Sequence, residues 1–433
     1  MFNTLKNAFK IKDIRTKIFY TFLMLIVVRI GSQLPIPGVN REYFAQWFSQ
    51  QSGDAFSFFN AVTGGSFEQL SVFALSITPY ITSSIIMQLL TIVIPKLEEW
   101  QKDGEDGRKK ILSITRYVTI GLSLVQSIAM SVGFGNKGLL QEFNVLSVVT
   151  VVVTLTAGSA MLMWIGEQIT EKGVGNGISI VLLINIVSRI PADLGSLYES
   201  FIKGKTPAYA ILAAVIIIAI ILVTVVLTVI LQDGERRISV QYAKKMQGRK
   251  MVGGQSTHIP LKVNTAGVIP IIFASSLLQF PVVIAALAGK SGSNWVKYLS
   301  SSNWCDPSNL KYSIGLVVYI ILCVFFAYFY TSITFNPLEV ANNLKKAGGF
   351  IPGIRPGTPT SDYLTKILNN IILIGVIGLI IVAVIPIFFN GVFGANVTFG
   401  GTSLIIIVGV VLETMKQIES QMLVRYYKGF LNV

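Results

Sequence analysis

The chain has 433 residues, 52% of them hydrophobic and only 13% charged, with a mean hydropathy of +0.66. Soluble domains carry about 25% charged residues, so this composition excludes a soluble protein and requires a bilayer. A net charge of +14 on its own would suit a nucleic-acid ligand, and the placement of the charges has to decide that question.

A membrane-spanning helix needs roughly 20 mainly apolar residues. Ten windows qualify: Ile18 to Leu34, Leu70 to Ile94, Ile111 to Val132, Val145 to Ile165, Gly175 to Ile190, Ala208 to Leu231, Thr265 to Leu287, Ile314 to Phe335, Ile367 to Phe389 and Thr402 to Met422. The fifth is the shortest. The first follows Lys6, Lys10, Lys12, Arg15 and Lys17, the flank of a secretory signal peptide. It ends in Gln33-Leu34-Pro35-Ile36-Pro37 without a small-residue cleavage site, so it is read as an uncleaved first span.

Between the first two windows, Phe56 to Gly65 (FSFFNAVTGG) is too apolar for a solvated loop and too short to span. It is expected to fold back into a cavity from outside, with Gly64-Gly65 as a flexible joint. Window two carries Pro79, and window seven carries Pro270 and Pro281. Irregular backbone survives in a membrane only where protein or water covers it, so both segments are expected to be broken helices lining a cavity.

Of the 35 basic residues, 26 fall in the N-terminal tail, the connections after windows two, four, six and eight, and the C-terminal tail, counted with the bordering turns of the windows, and eight in the other connections with theirs. The positive-inside rule then places both termini in the cytoplasm. The loop from Gln232 to Val263 holds Arg236, Arg237, Lys244, Lys245, Arg249 and Lys250. These charges either set topology or dock an acidic or RNA-containing partner. Within the spans, Arg29 is expected to snorkel to the outer interface, and Glu167 and Glu413 fall near cytoplasmic ends.

Cys305 and Cys323 suggest neither a disulfide framework nor a thiolate metal site, and His258 is expected in a polar loop. There is no GxxxxGK[ST] and no HExxH. Gly133 to Gly138 fits GxGxxG but follows a membrane helix instead of a strand, so it reads as a turn. The expectation is a non-enzyme without cofactors, one that draws energy from a partner or a gradient.

Four stretches carry a resemblance: Phe73 to Ile81 (FALSITPYI); Gly166 to Thr170 (GEQIT) running into Gly173 to Ser179 (GVGNGIS); Gln255 to Asn264 (QSTHIPLKVN) leading into Gly267 to Pro270 (GVIP); and Asn342 to Lys346 (NNLKK) through Gly348 to Gly357 (GGFIPGIRPG). With these in order, the chain resembles the SecY family over essentially its whole length. The resemblance implies an all-α polytopic membrane protein of ten transmembrane helices. They would form two inverted-repeat halves of five, residues 1–190 and 191–433, around a central pore.

The resemblance also implies a protein-conducting channel of the bacterial plasma membrane, which passes unfolded preproteins and releases transmembrane segments and signal sequences sideways into the lipid bilayer. Its pore ring maps onto Ile77, Ile81, Ile178, Leu182, Ile272 and Ile406. Ile77 and Ile81, like Ile178 and Leu182, lie four apart on one helical face, and branched apolar side chains exclude water without choosing among passing sequences. The plug maps onto residues 54–66, with Phe56, Phe58, Phe59, Asn60, Gly64 and Gly65. The lateral gate maps onto Thr82, Gln88, Gln126, Ser275 and Phe280. Arg236, Arg237, Arg249, Lys250 and Arg355, in cytoplasmic loops 232–263 and 336–366, would meet the ribosome or the SecA ATPase motor, and the small SecE and SecG subunits would attend the channel. A secondary transporter of a small solute remains the alternative, since it would share the spans and the repeat. It would however need polar sites at mid-membrane, where this sequence offers isoleucine.

Overall fold

The computed structural model describes residues 8–44, 46, 60, 62–135, 140, 142–242, 245–247, 250–252, 256–287, 293–300, 303–305, 307, 309–393 and 401–430. Helices dominate. In chain order they are α1 (Lys12–Gly31), α2 (Thr78–Val93), α3 (Pro95–Lys102), α4 (Glu105–Phe134), α5 (Val145–Lys172), α6 (Gly177–Phe201), α7 (Pro207–Asp233), α8 (Ile269–Leu287), α9 (Asn294–Leu299), α10 (Ile314–Thr334), α11 (Pro337–Lys346), α12 (Thr358–Phe393) and α13 (Gly401–Phe430).

Each expected window falls on a helix. Among the described residues six helical stretches are long and apolar enough to cross a membrane, and the α2–α3 pair, bent by 102° at Ile94, adds a seventh if it is one span. The most lipid-adapted is α7, hydrophobic all round, with mean hydropathy 3.4 and only 11% of its apolar window buried. Opposite in character is α4, which buries Thr115, Thr119, Ser123, Ser127 and Ser131 in a stripe repeating every four residues. Thr115, Thr119 and Ser127 satisfy their hydroxyls on the carbonyl one turn back. Ser83 of α2 shares a hydrogen bond with Thr119. Small side chains with satisfied hydroxyls let α4 approach its neighbours closely in the absence of a hydrophobic driving force.

Two expectations are corrected, the extent of window two and the setting of His258. Window two is helical only from Thr78, and Pro79 sits in the first turn of α2, where its missing N–H costs nothing. It starts the helix and does not break it. Ahead of it, residues 64–77 form turns, tied to the N-terminal segment by a bridge between Pro35 and Ser71. The fifth window, the shortest by sequence, becomes the 25-residue α6 with Pro191 inside it. Finally, the loops outside the spans are not purely irregular. β1 (Glu235–Tyr242) pairs antiparallel with β4 (Ser256–Lys262) and with β5 (Gly349–Phe350), while β2 (Lys245–Gln247) pairs with β3 (Lys250–Val252). His258 lies exposed on β4 opposite Ser239, in a strand and not a loop.

Candidate functional site

The local turn that opens α6 explains the GVGNGIS motif. Gly175 adopts φ +81°, a conformation that favours glycine. Asn176 then caps the helix, its Oδ1 accepting from the backbone N–H of Ile178 at 3.1 Å. The Gly177 N–H donates to Thr170 Oγ1 at 2.9 Å. A Cβ on Gly177 would lie 1.9 Å from the Gly166 carbonyl oxygen, and one on Gly166 2.4 Å from Ile178 Cδ1. The two glycines therefore let α5 and α6 cross in near backbone contact, and that crossing sets Ile178 in place.

A comparable device sets Ile77. Ser76 holds φ +51°, which costs a non-glycine residue about 1–2 kcal/mol. Its carbonyl accepts from Ser159 Oγ at 3.3 Å and its Oγ from Asn185 Nδ2 at 3.1 Å. Ile77, fully buried, follows as the N-cap of α2.

These devices converge. Ile77 and Ile406 are buried in one apolar cluster, with Ile81, Ile178 and Ile272 packed against it. Five of the six residues expected in the ring thus meet, contributed by α2 and its cap, α6, α8 and α13. Leu182 is buried but lies outside that cluster.

On one side of the cluster opens a cavity of about 500 Å³, lined by Ile81, Ile178, Ile269 and Ile272 together with polar groups that include Tyr80, Gln88, Arg116, Glu167, Glu171 and Tyr330. Arg116 Nε donates to Glu167 Oε1 at 2.8 Å and neutralises that carboxylate. The cavity lining is therefore mixed, isoleucines beside charged and hydroxyl side chains. Among the described residues no three His, Cys, Asp or Glu side chains gather to hold a metal ion.

Of the residues assigned to a lateral gate, Thr82 and Gln88 lie on α2, Gln126 on α4 and Ser275 on α8. The Thr82 hydroxyl is spent on the Thr78 carbonyl. Phe280 is in α8, but its side chain lies outside the described residues. Sequence reasoning missed Tyr330 of α10, whose hydroxyl donates to Gln88 Oε1 and closes the seam between α2 and α10.

Of the residues expected in a plug, Phe56, Phe58 and Phe59 lie outside the described residues. Asn60 is buried, and Gly64 and Gly65 take φ +66° and +84°. A Cβ on Gly64 would come within 2.6 Å of the Asn185 carbonyl oxygen, so the joint is pressed against α6. Arg29 is half-buried, with Nη1 enclosed and without a hydrogen-bond partner.

The basic loops prove to be one folded unit. Pairing of Gln241 with Phe350 and of Tyr242 with Gly349 brings loops 232–263 and 336–366 into a single sheet. Beneath it lies a core of Ile238, Val240, Leu261, Leu344, Ile351 and Leu364. Arg236 and Arg237 are exposed on β1, and Arg237 is engaged by Glu235 at 2.6 Å. Lys250 is on β3, its side chain outside the described residues, and Arg249 is outside them altogether. Arg355 is exposed in the turn after β5, between Gly353 (φ +83°) and Gly357 (φ +110°), and its carbonyl accepts from Thr360 Oγ1 at 2.8 Å.

Comparison with known proteins bears on the fold and the family. A protein translocase subunit SecY from Halalkalibacterium halodurans is 47% identical over 438 residues, covering all of both chains. Two solved structures share the fold at 17% identity. One, of a SecY protein whose plug domain is described as stabilising the closed state of the translocation channel, covers 94% of this chain and 92% of that one at a TM-score of 0.63. The other, Sec61 in the canine ribosome-channel complex from the endoplasmic reticulum, covers 94% and 93% at 0.61. The SecY family model matches residues 71–415, and with that span and that identity the chain belongs to the SecY family.

Proposed function

We propose that this chain is the central, pore-forming subunit of a bacterial protein-conducting channel. Unfolded preproteins cross the plasma membrane through it, and transmembrane segments and signal sequences leave it sideways into the bilayer. The observation that carries the reading is the convergence of Ile77, Ile81, Ile178, Ile272 and Ile406 beside an amphipathic cavity. A collar of branched apolar side chains holds back water and ions, yet makes no specific hydrogen bond with whatever passes. A transporter needs the opposite, polar groups that recognise one solute.

In this reading the ten windows are ten spans in two halves, residues 1–190 and 191–433, with both termini cytoplasmic. The segment containing Asn60, Gly64 and Gly65 stops the pore from outside. The seam beside Thr82, Gln88, Gln126, Ser275 and Phe280 is the lateral gate. The sheet bearing Arg236 and Arg237, the β2–β3 hairpin with Arg249 and Lys250, and the Arg355 turn receive the SecA motor or the ribosome, and the SecE and SecG subunits complete the assembly. The chain performs no chemistry of its own.

The test is to place a photoreactive residue at position 272 and stall a preprotein in transit. Crosslinking at 272, with none at lipid-facing Val215 of α7, is the expected result. Crosslinking at neither position, with translocation intact, would overturn the assignment of the collar.

A further inference from the structure

The external segment is held by a charge that the sequence reading did not single out. Glu68 lies in the turns that follow Gly64-Gly65, and its Oε2 accepts two hydrogen bonds, from Asn60 Nδ2 at 2.9 Å and from Arg189 Nη1 at 2.9 Å. Asn60 belongs to the external segment and Arg189 to α6, eleven residues and roughly 16 Å beyond Ile178 along the helix. One carboxylate oxygen therefore joins the segment to the wall of the pore.

The surroundings give Arg189 little freedom. Its Nε is enclosed without a partner, and a Cβ on Gly65 would lie 3.3 Å from its Nη1. The fork is packed against the joint. Glu68 keeps 37% of its side chain exposed and Arg189 20%, so water reaches the pair and can take over when it parts. A charge-assisted contact at a wet margin is strong enough to hold a small segment and weak enough to release it.

We propose that Glu68 is the positioning residue of the external segment, a latch to Arg189 whose opening lets the segment leave the pore. This rests on the reading of that segment as the pore's stopper. Val62 and Phe67, which flank the joint, are buried apolar side chains with no part in the pair, and the latch governs the equilibrium between docked and undocked positions and not the fold.

The experiment uses the full chain in native membranes, with Cys305 and Cys323 replaced by Ser and Ser66→Cys as reporter. Ser66 is buried and gains access to an impermeant maleimide only when the segment undocks. Glu68→Gln and Arg189→Gln should each raise the labelling rate about tenfold, the factor for one lost charge-assisted hydrogen bond, and lengthen channel openings. The exchange Glu68→Arg with Arg189→Glu should bring labelling back to within about twofold of the parent, because Asn60 Oδ1, now without a partner, can accept from an arginine at 68. A merely structural defect would not be rescued by that exchange. Unchanged labelling in both single variants, or an exchange that folds but stays as labile as they are, overturns the latch. Raised labelling with unaltered ion current upholds the latch and instead removes the stopper reading.

Discussion

The isoleucine collar proposed above would work by what it lacks, and a polar substitution supplies it. Ile77→Asn and Ile406→Asn each bring a hydrated amide into a cluster whose members are nearly inaccessible. Each should raise ion leak through the resting protein several-fold in planar bilayers and relax the demand for a strong signal sequence. Wild-type conductance in both would remove these residues from the constriction. Gly177 makes a separate prediction. Since a Cβ there meets the Gly166 carbonyl, Gly177→Val should cost more than the about 1–3 kcal/mol of ordinary overpacking, read as lower thermal stability in detergent, while Gly204→Ala, which meets nothing within 4 Å but has φ +75°, should cost only the about 1–2 kcal/mol of its backbone conformation. That Ile77, Ile81, Ile178, Ile272 and Ile406 meet was legible through the family resemblance, to which four-residue spacing adds only the pair Ile77 and Ile81. Glu68, Arg189 and Tyr330 were not, because each owes its importance to a partner 121 or 242 positions away, and no local pattern announces such a contact.

Elements were legible where hydrophobic length decides them and misread where backbone detail does. The ten windows land on helices because apolar runs of that length have no other stable form in lipid. Window two, however, was extended back to Leu70. Its apolar composition through Val72, Phe73 and Ala74 hides the positive φ of Leu70 and Ser76, and these residues are buried as turns, satisfied by the Pro35 bridge and by α5 and α6. The strands escaped notice for the converse reason. β1 is only eight residues, rich in charge, and its apolar members Ile238 and Val240 face a core completed by residues more than a hundred positions later. Deleting Phe56 to Gly65 should leave the helices assembled, with the far-ultraviolet circular dichroism of the parent, while prolonging channel openings. Loss of the folded protein would make the segment part of the core and not a removable stopper.

Across the molecule, charge asymmetry predicts orientation, and labelling can check it. With 26 of 35 basic residues on one side, a cysteine at position 355 should resist an impermeant reagent in intact cells and react fully in inverted vesicles. Labelling from outside would reverse the topology. Arg355 itself stands on a rigid mount, bracketed by Gly353 and Gly357 and tied by Thr360, and a guanidinium offers a planar fork that lysine cannot imitate. Arg355→Lys should therefore slow motor-driven export with normal insertion, Arg355→Glu should be worse, and wild-type export rates in both would reduce the residue to a topology charge. The mount has a mechanical meaning. β1 grows directly from the end of α7, β4 leads back towards α8, and β5 joins α11 to α12, so every strand of the sheet is rooted in residues 207–393. In the proposed reading, a partner that grips this handle would pull first on α7, α8, α11 and α12, the helices from which its strands grow.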